Sequence, residues 1–125
     1  MISFDAFSIE GNSPIYLQLI LFVKRGLVAG NIGDGEELPS RRVLSARLGV
    51  NPNTIQKAYR LLEEEGLLRS QMGAASVITV DREQLSVIRR ELLERYAKVL
   101  GRAMKEMGLS REEALGLLDH LWDDM

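Results

Sequence analysis

One stretch of the chain, Leu38–Gly66, restricts the possible folds more than any other. It reads LPSRRVLSARLGVNPNTIQKAYRLLEEEG, two short helical segments separated by the turn Gly49-Val50-Asn51. Between Leu38 and Leu62 it has five basic residues and no acidic one, although the whole chain has a net charge of -2. Two short helices, a tight turn and charge of one sign predict a helix-turn-helix that lies against phosphate.

Capping residues predict where these two helices begin and end. Ser40 can cap a helix over residues 41–48, and Gly49 suits the left-handed position that ends it. Asn51 can cap the next helix, and Pro52 fits its first position because that position needs no N–H. The helical spacing predicts one buried stripe on this helix, which consists of Ile55, Ala58, Tyr59 and Leu62.

A further helix is predicted before this pair, and a hairpin after it. Ser13 as a cap and Pro14 at the first helical position predict the start of a helix, and residues 15–29 continue it with apolar residues at helical spacing. Residues 67–80 change to two short strand-like runs, LLRSQ and SVITV, separated by a short turn. A hairpin in this place is a wing. Residues 1–80 are therefore expected to form a winged helix-turn-helix, and the fold class to be mainly α with a small β-wing.

Residues 81–125 are predicted to form a tail of two helices, over about 81–107 and 111–124. A capping-box pattern, Ser110 followed by Glu113, opens the second helix, which is expected to bury Ala114, Leu115, Leu118, Leu121 and Trp122. Both helices have an apolar face, and so short a tail cannot bury both as an independent globule. A homodimer is therefore expected. Its interface is assigned to Leu85, Ile88, Leu92, Tyr96, Val99, Leu100, Leu118, Leu121 and Trp122.

Composition argues against several other classes of protein. The chain has no Cys, which removes disulfides, thiolate metal sites and cysteine nucleophiles. It has no apolar run of about 18 residues that could span a membrane, and its first residues lack a secretory pattern. A cytoplasmic protein is therefore expected. The single His120 lies among flexible carboxylates, which makes a weak metal site. No metal, cofactor or enzymatic activity is expected.

Residues 14–80 resemble the GntR family of bacterial transcription regulators. The resemblance rests on PIYLQL, on GNIGDGEELPSRRVLS, on LGVNPNTIQKAYRLLEEEGLL and on the wing that follows. The run Asn51-Pro52-Asn53-Thr54 and the short helical tail are most similar to the YtrA subfamily. The resemblance implies that the tail is a dimerisation element and that neighbouring genes often encode an ABC transporter.

The resemblance also implies DNA contacts for particular residues. Arg42 matches the Arg that follows the Leu-Pro-Ser signature and contacts the DNA backbone in the family. Gly73 matches the wing-tip Gly, which approaches the minor groove. The start of the third helix, where family members touch phosphates and base edges, is matched by Asn51, Asn53, Thr54 and Gln56.

The chain departs from the family pattern at the third helix and at the wing. Many members have Arg at the positions of Pro52 and Gln56, so base reading by those two arginines is absent here. The wing of most members reads Gly-x-Gly, but its second Gly is Ala75 in this chain, and Gln71-Met72 before it lacks an Arg. The wing is therefore expected to grip DNA less strongly, or in a different conformation.

The expected DNA contacts are of two kinds. Arg41, Arg42 and Lys57 would neutralise phosphates and release counterions, which raises affinity without reading sequence. Asn53 and Gln56 can offer a donor and an acceptor together to adenine. The full set assigned to DNA binding is Ser40, Arg41, Arg42, Asn51, Asn53, Thr54, Gln56, Lys57, Arg60 and Gly73.

Simpler interpretations of the same residues stay open. The five cations could form a solvated helical face, and Asn51 could act only as a helix cap. The preferred function is a dimeric, sequence-specific regulator that binds a palindromic operator and represses a nearby operon. The alternative is a winged-helix adaptor that docks a protein partner. A small-molecule effector is expected, if there is one, at the dimer interface or between tail and head, with Trp122 near that junction.

Overall fold

Five α-helices and three short strands form in the computed structural model, which describes residues 1–70 and 75–125. In chain order the elements are α1 (Ile15–Ala29), β1 (Glu37–Leu38), α2 (Arg41–Leu48), α3 (Pro52–Glu64), β2 (Leu68–Arg69), β3 (Ser76–Ile78), α4 (Arg82–Glu106) and α5 (Arg111–Leu121), followed by a 3₁₀ turn at Trp122–Asp124. The predicted fold class, mainly helical with a small β-wing, is confirmed.

The caps of α2 and α3 are those that the sequence predicts. The Ser40 hydroxyl accepts a hydrogen bond from the Val43 N–H at 3.2 Å, and α2 begins at the next residue after Ser40. At its other end Gly49 has φ 67°, a left-handed value that favours glycine. The Asn51 side chain accepts a hydrogen bond from the Asn53 N–H at 2.8 Å. Local side-chain chemistry therefore sets the sharp turn between the two helices.

The start of α1 differs from the prediction. The helix begins at Ile15, and neither Ser13 nor any other side chain caps it. Pro14 has ψ 138°, which is extended, so the helical conformation starts one residue later than expected. The Gln18 amide connects this end to the preceding segment, because it donates to the Glu10 and Ser13 carbonyls and accepts from the Glu10 N–H.

The sheet has one strand more than the sequence predicts. Its order is β1-β3-β2, with both neighbouring pairs antiparallel, and β1 pairs Glu37 with Val77 and Leu38 with Ser76. No strand was predicted here, because two residues are too few to show a strand pattern. β3 ends at Ile78 and not at Val80, since the Val80 N–H donates to the Asp34 side chain instead of to a strand.

The chain divides into two compact units, Met1–Ile88 and Arg89–Met125. The core of the first contains the predicted α3 stripe, together with residues of α1 and of the sheet, and also Ile2 and Phe4 from the segment before α1. Ile88 is buried in that core and Leu85 packs against it. The division thus falls inside α4, whereas the sequence placed a boundary before that helix, between residues 80 and 81. The assignment of those two segments to DNA binding and dimerisation stays a prediction.

The second unit consists of the rest of α4, α5 and the 3₁₀ turn. The predicted capping box is present: the Ser110 hydroxyl accepts from the Glu113 N–H, and the Glu113 carboxylate accepts from the Ser110 N–H, both at 3.1 Å. The expected burial on α5 is wrong for the single chain. No residue of α5 is buried, and Leu115, Leu121 and Trp122 are exposed. One neighbouring helix segment is too little to cover this face.

Within the described ranges, 1–70 and 75–125, no helix combines the length and the apolar character that crossing a membrane requires.

Candidate nucleic-acid interface

One side of α3 carries polar residues that the sequence assigns to DNA. Successive residues of an α-helix are turned by about 100°, so the side opposite the buried stripe is that of Asn53, Lys57 and Arg60, with Gln56 beside them. These four residues are exposed, while Thr54 is half-buried at the edge. The helix therefore presents two amides and two cations on one accessible side.

The N-terminus of α3 is open to an anion. Asn51 acts as the cap, with its side chain occupied by the Asn53 N–H and its carbonyl accepting from the Thr54 N–H at 2.9 Å. Asn51 is thus a helix cap as predicted, and its expected DNA contact stays a prediction. The first turn contains no acidic residue. The positive end of the helix dipole is therefore not neutralised from within the helix, which favours a phosphate oxygen there.

Two arginines of α2 project into solvent without a carboxylate partner. Arg42 and Arg47 are exposed, and across residues 1–70 and 75–125 neither forms an ion pair. Ser40, which precedes them, uses its hydroxyl to cap α2. The charges of these two arginines are therefore available to an approaching polyanion at full strength.

Arg41 has a different environment from its neighbour Arg42. Its Nη2 lies 3.1 Å from Glu63 Oε1 and 3.3 Å from Ser70 Oγ. Its guanidinium carbon lies 5.4 Å from the centroid of the Tyr59 ring, and Ser70 also donates to Glu63. Arg41 thus connects α2 with α3 and with the residue that follows β2. Its charge is already balanced by Glu63, and the expected phosphate contact stays a prediction.

The two cations of α3 also have partners within the protein. Lys57 Nζ lies 4.1 Å from the centroid of the Tyr16 ring on α1, in a cation–π arrangement. Arg60 Nη1 lies 3.1 Å from Glu64 Oε1, one turn further along the helix. Both cations are exposed and can exchange partners, because an exposed ion pair contributes only about 0–1 kcal/mol and an exposed cation–π contact about 0.5–1 kcal/mol. These contacts orient the two cations and leave them accessible to a phosphate group.

The three glutamates at the end of α3 each pair with a cation. Glu63 pairs with Arg41 and Glu64 with Arg60, and Glu65 lies 2.8 Å from Lys24 on α1. The structure places them in ion pairs to α1, to α2 and within α3, so they weaken the positive field over the C-terminal half of α3. The field is strongest near its N-terminus.

Tyr59 fixes α3 to the segment that leads into α2. Its hydroxyl donates to the Pro39 carbonyl at 2.6 Å in the buried core. Burial raises the pKa of Tyr59 well above its ordinary value, and the Arg41 guanidinium acts in the opposite direction. The residue therefore keeps its proton and remains a donor at any physiological pH. This hydrogen bond helps to fix the orientation of α3 relative to the start of α2.

The sequence profile described as "Bacterial regulatory proteins, gntR family" matches residues 15–78. The chain belongs to this GntR family. The matched segment covers α1 to β3, that is, the helices and strands just described. The resemblance that the sequence motifs indicated is confirmed.

Two relatives of this GntR chain come from Bacillus subtilis. The uncharacterized HTH-type transcriptional regulator YhcF is 34% identical over 110 residues, which are 85% of this chain and 88% of YhcF. The HTH-type transcriptional repressor YtrA is 38% identical over 70 residues, which are 56% of this chain and 54% of YtrA. Their names describe transcription regulators and not enzymes, and the YtrA-like character expected from the sequence is confirmed.

Solved structures are similar to the same GntR chain. A GntR family transcriptional regulator from Listeria monocytogenes has a TM-score of 0.80 and 26% identity, and the match covers 90% of this chain and 98% of that one. YtrA from Sulfolobus acidocaldarius has a TM-score of 0.54 and 25% identity, with 94% and 96% covered. The DNA-binding domain of AraR in complex with operator ORX1 has a TM-score of 0.51 and 26% identity, with 58% and 93% covered. This GntR chain is a DNA-binding transcription regulator with a helix-turn-helix.

The tip of the wing lies outside the described residues of the GntR chain. Gly73 and Gln71, on which the expectations for the minor groove rest, belong to residues 71–74. Ala75, which replaces the second Gly of the family pattern, is half-buried at the start of β3. The base of the wing has an exposed cation, Arg69 on β2. Arg69 was not among the residues predicted to contact DNA, although its position in the sequence, shortly before the expected wing tip, is a signal that could have found it.

The positions assigned to dimerisation fall into two groups in the GntR chain. Leu85 and Ile88 pack in the core of the first unit, and Leu92 is buried as well, so their burial needs no partner chain. Leu118 is half-buried. The others are exposed in the single chain: Tyr96, Val99, Leu100, Leu121 and Trp122.

No group of three or more His, Cys, Asp or Glu residues is arranged to hold a metal ion in residues 1–70 and 75–125 of the GntR chain.

Proposed function

We propose that this GntR chain is a dimeric, sequence-specific repressor that binds a palindromic operator through α3 and the wing. The observation that carries the proposal is the exposed side of α3, where amides and cations lie together near a helix N-terminus that has no acidic residue in its first turn. Repression is proposed because the relative YtrA is named a repressor. A nearby operon, one that encodes an ABC transporter, is proposed as the target from the resemblance to the YtrA subfamily. The cytoplasm is the proposed location.

The proposed contacts divide by function. Arg42 and Lys57 bind phosphates, and the positive end of the α3 dipole attracts a further phosphate. Asn53 and Gln56 contact base edges in the major groove, because an amide can pair with both N6 and N7 of adenine. Ser40 and Asn51 orient the helices as caps, and Thr54, Arg60 and Gly73 complete the proposed surface.

The proposed homodimer is supported by apolar side chains of the second unit that a single chain leaves in solvent. Val99 is 63% exposed and Trp122 is 68% exposed. Large apolar side chains that stay in solvent are typical of an interaction site when several of them lie on one unit. A second copy would cover it and would place two copies of α3 on one duplex, about one helical turn of DNA apart.

Selection of bound duplexes from a random pool tests the proposal. We expect an inverted repeat whose half-sites are about 10 base pairs apart between centres, since each subunit reads one half-site. A pool that returns no common sequence would argue for the alternative, a winged-helix adaptor that docks a protein partner. Affinity that does not change with salt would argue for the adaptor as well, because phosphate binding releases counterions.

Two substitutions separate the proposed phosphate contact from the proposed base contact. Arg42→Ala should weaken binding to the selected duplex and to a random duplex alike, and should reduce the slope of log affinity against log salt by about 1. Gln56→Ala should weaken binding to the selected duplex by about 1–3 kcal/mol and leave random duplex unchanged. Arg25→Ala is the control, because Arg25 is an exposed arginine on α1. If Arg42→Ala matches this control, the assigned surface is wrong.

A further inference from the structure

The second unit contains an apolar groove that takes no part in the proposed DNA contacts. It lies between α4 and α5 and has a volume of about 360 Å³. Pockets that hold small molecules have volumes of about 300–1,000 Å³, so the groove can accept one large side chain. Its apolar wall consists of Leu100, Met104, Leu109, Ala114, Leu115 and Leu118.

Two cations lie at the end of the groove where α4 passes into α5. Lys105, in the last turn of α4, and Arg111, in the first turn of α5, both line it. In the described parts of the chain, neither forms an ion pair. The groove therefore combines an apolar wall with two unneutralised positive charges at one end, and it suits an occupant that is large, apolar and acidic at its edge.

The C-terminal turn of the same chain has this chemistry. Trp122, the only Trp, is 68% exposed, and Asp123 and Asp124 follow it directly. Acidic residues are unfavourable at the C-terminal end of their own helix, where the dipole is negative. They become favourable beside the N-terminal end of another α5. The turn and the groove are thus complementary in both apolar character and charge.

A chain cannot place its own C-terminal turn against its own Arg111. α5 has 11 residues, so its two ends are about 16 Å apart at 1.5 Å per residue, and the helix keeps them apart. In a two-fold pair of antiparallel α5 helices, however, the C-terminal turn of each chain lies at the N-terminal end of the other. Symmetry then forms two identical contacts.

We propose that the C-terminal turn of a second copy docks in this groove. The partner copy's indole occupies the apolar part, and its two aspartates pair with Lys105 and Arg111. The inference rests on the proposed homodimer and specifies which surfaces form it. The face of α4 around Val99 can contribute to the same dimer, but only the groove contact depends on this charge pattern.

Complementary charge reversal tests the contact. One variant, Asp123→Lys/Asp124→Lys, places four cations at each contact of its homodimer, and the other, Lys105→Glu/Arg111→Glu, places four anions there. Juxtaposed like charges disfavour association strongly, so we expect each homodimer to dissociate at least about tenfold more readily than wild type. In a mixture, both contacts of the heterodimer pair opposite charges. The heterodimer should therefore form selectively, with a dissociation constant within about threefold of wild type.

The variants should keep their fold. Arg111→Glu places an acid in the first turn of α5, and Asp123→Lys places a cation just beyond its last turn, and both changes suit the helix dipole. Circular dichroism checks the helix content. Asp5→Lys/Glu83→Lys is the matched control, because it changes two exposed acids of the first unit by the same total charge. Sedimentation of each chain and native mass spectrometry of the mixture measure association, and the single tryptophan reports burial of Trp122 through a shift of emission to shorter wavelength.

The outcomes separate this inference from the proposed homodimer. If the wild-type chain is a dimer, and if the charge variants dimerise like the control and form no selective heterodimer, the groove contact is wrong. The proposed homodimer is then still supported. A chain that stays monomeric overturns both. If dodecanoate binds the wild-type dimer and Lys105→Glu/Arg111→Glu abolishes that binding while the dimer persists, the groove holds an amphiphile and the proposal is wrong.

Discussion

Tyr59 combines two functions at the scale of a single residue. Its ring belongs to the buried stripe of α3, and its hydroxyl satisfies the Pro39 carbonyl just before α2. The stripe could be predicted from helical spacing. The hydrogen bond could not, because its acceptor lies 20 positions earlier and only the folded turn brings the two groups together.

Tyr59→Phe should lower the free energy of unfolding by about 1–3 kcal/mol, since it leaves a buried carbonyl without a donor while the ring still fills its place. Unfolding in urea, followed by circular dichroism, measures the change. Tyr96→Phe is the control, because Tyr96 is exposed on α4 and should change stability by less than about 0.5 kcal/mol. Equal effects of the two substitutions would show that the Pro39 bond contributes nothing to stability.

At the scale of elements, the ends of the helices could be predicted better than the contacts between them. Ser40, Gly49 and Asn51 act through neighbours in sequence, and all three positions are confirmed. Strand β1 was missed because it has two residues and pairs with a strand almost 40 positions away. α4 reads as one continuous apolar pattern, so the sequence could not reveal that its first turns belong to another compact unit than the rest.

The environment of Arg41 could not be predicted either, because its partners are also distant in sequence. Five basic residues in one window predicted one continuous positive surface that faces phosphate. The glutamates that neutralise part of this surface, Glu63 above all, lie at the other end of the motif. Arg41 contacts Glu63, Ser70 and the Tyr59 ring, and so connects α2, α3 and the end of β2. Arg42, the next residue, has an exposed side chain. Two adjacent arginines thus have different environments.

Arg41→Ala should therefore differ from Arg42→Ala in its effect on salt dependence. We expect Arg41→Ala to weaken binding to the operator and leave the slope of log affinity against log salt unchanged within about 0.3, because Glu63 already balances the charge of Arg41. Arg42→Ala should reduce the slope by about 1. Titration of a labelled duplex at several salt concentrations measures both. If Arg41→Ala reduces the slope as much as Arg42→Ala, Arg41 exchanges Glu63 for a phosphate in the complex.

At the scale of the whole molecule, the two units leave different surfaces to be covered. The first unit buries its own core and exposes a polar side of α3. The second exposes Tyr96 and Val99 on α4, and Trp122 after α5. A single chain thus needs no partner to bury the core under the proposed DNA surface, but it leaves apolar side chains of the second unit in solvent. Affinity for a palindrome should then depend on a surface that never touches DNA.

Val99→Asp tests this dependence. Val99 is exposed in the single chain, so the substitution should leave thermal unfolding of the monomer unchanged, but it introduces a charge into the proposed apolar interface. Because the second half-site is bound at a high effective concentration only when the subunits are joined, we expect about 10²-fold weaker binding to the full operator and unchanged binding to a single half-site. Val87→Asp is the control, since Val87 is an exposed valine of α4 in the first unit. Sedimentation and operator titration measure the two effects, and a Val99→Asp protein that dimerises and binds like wild type would remove this face of α4 from the interface.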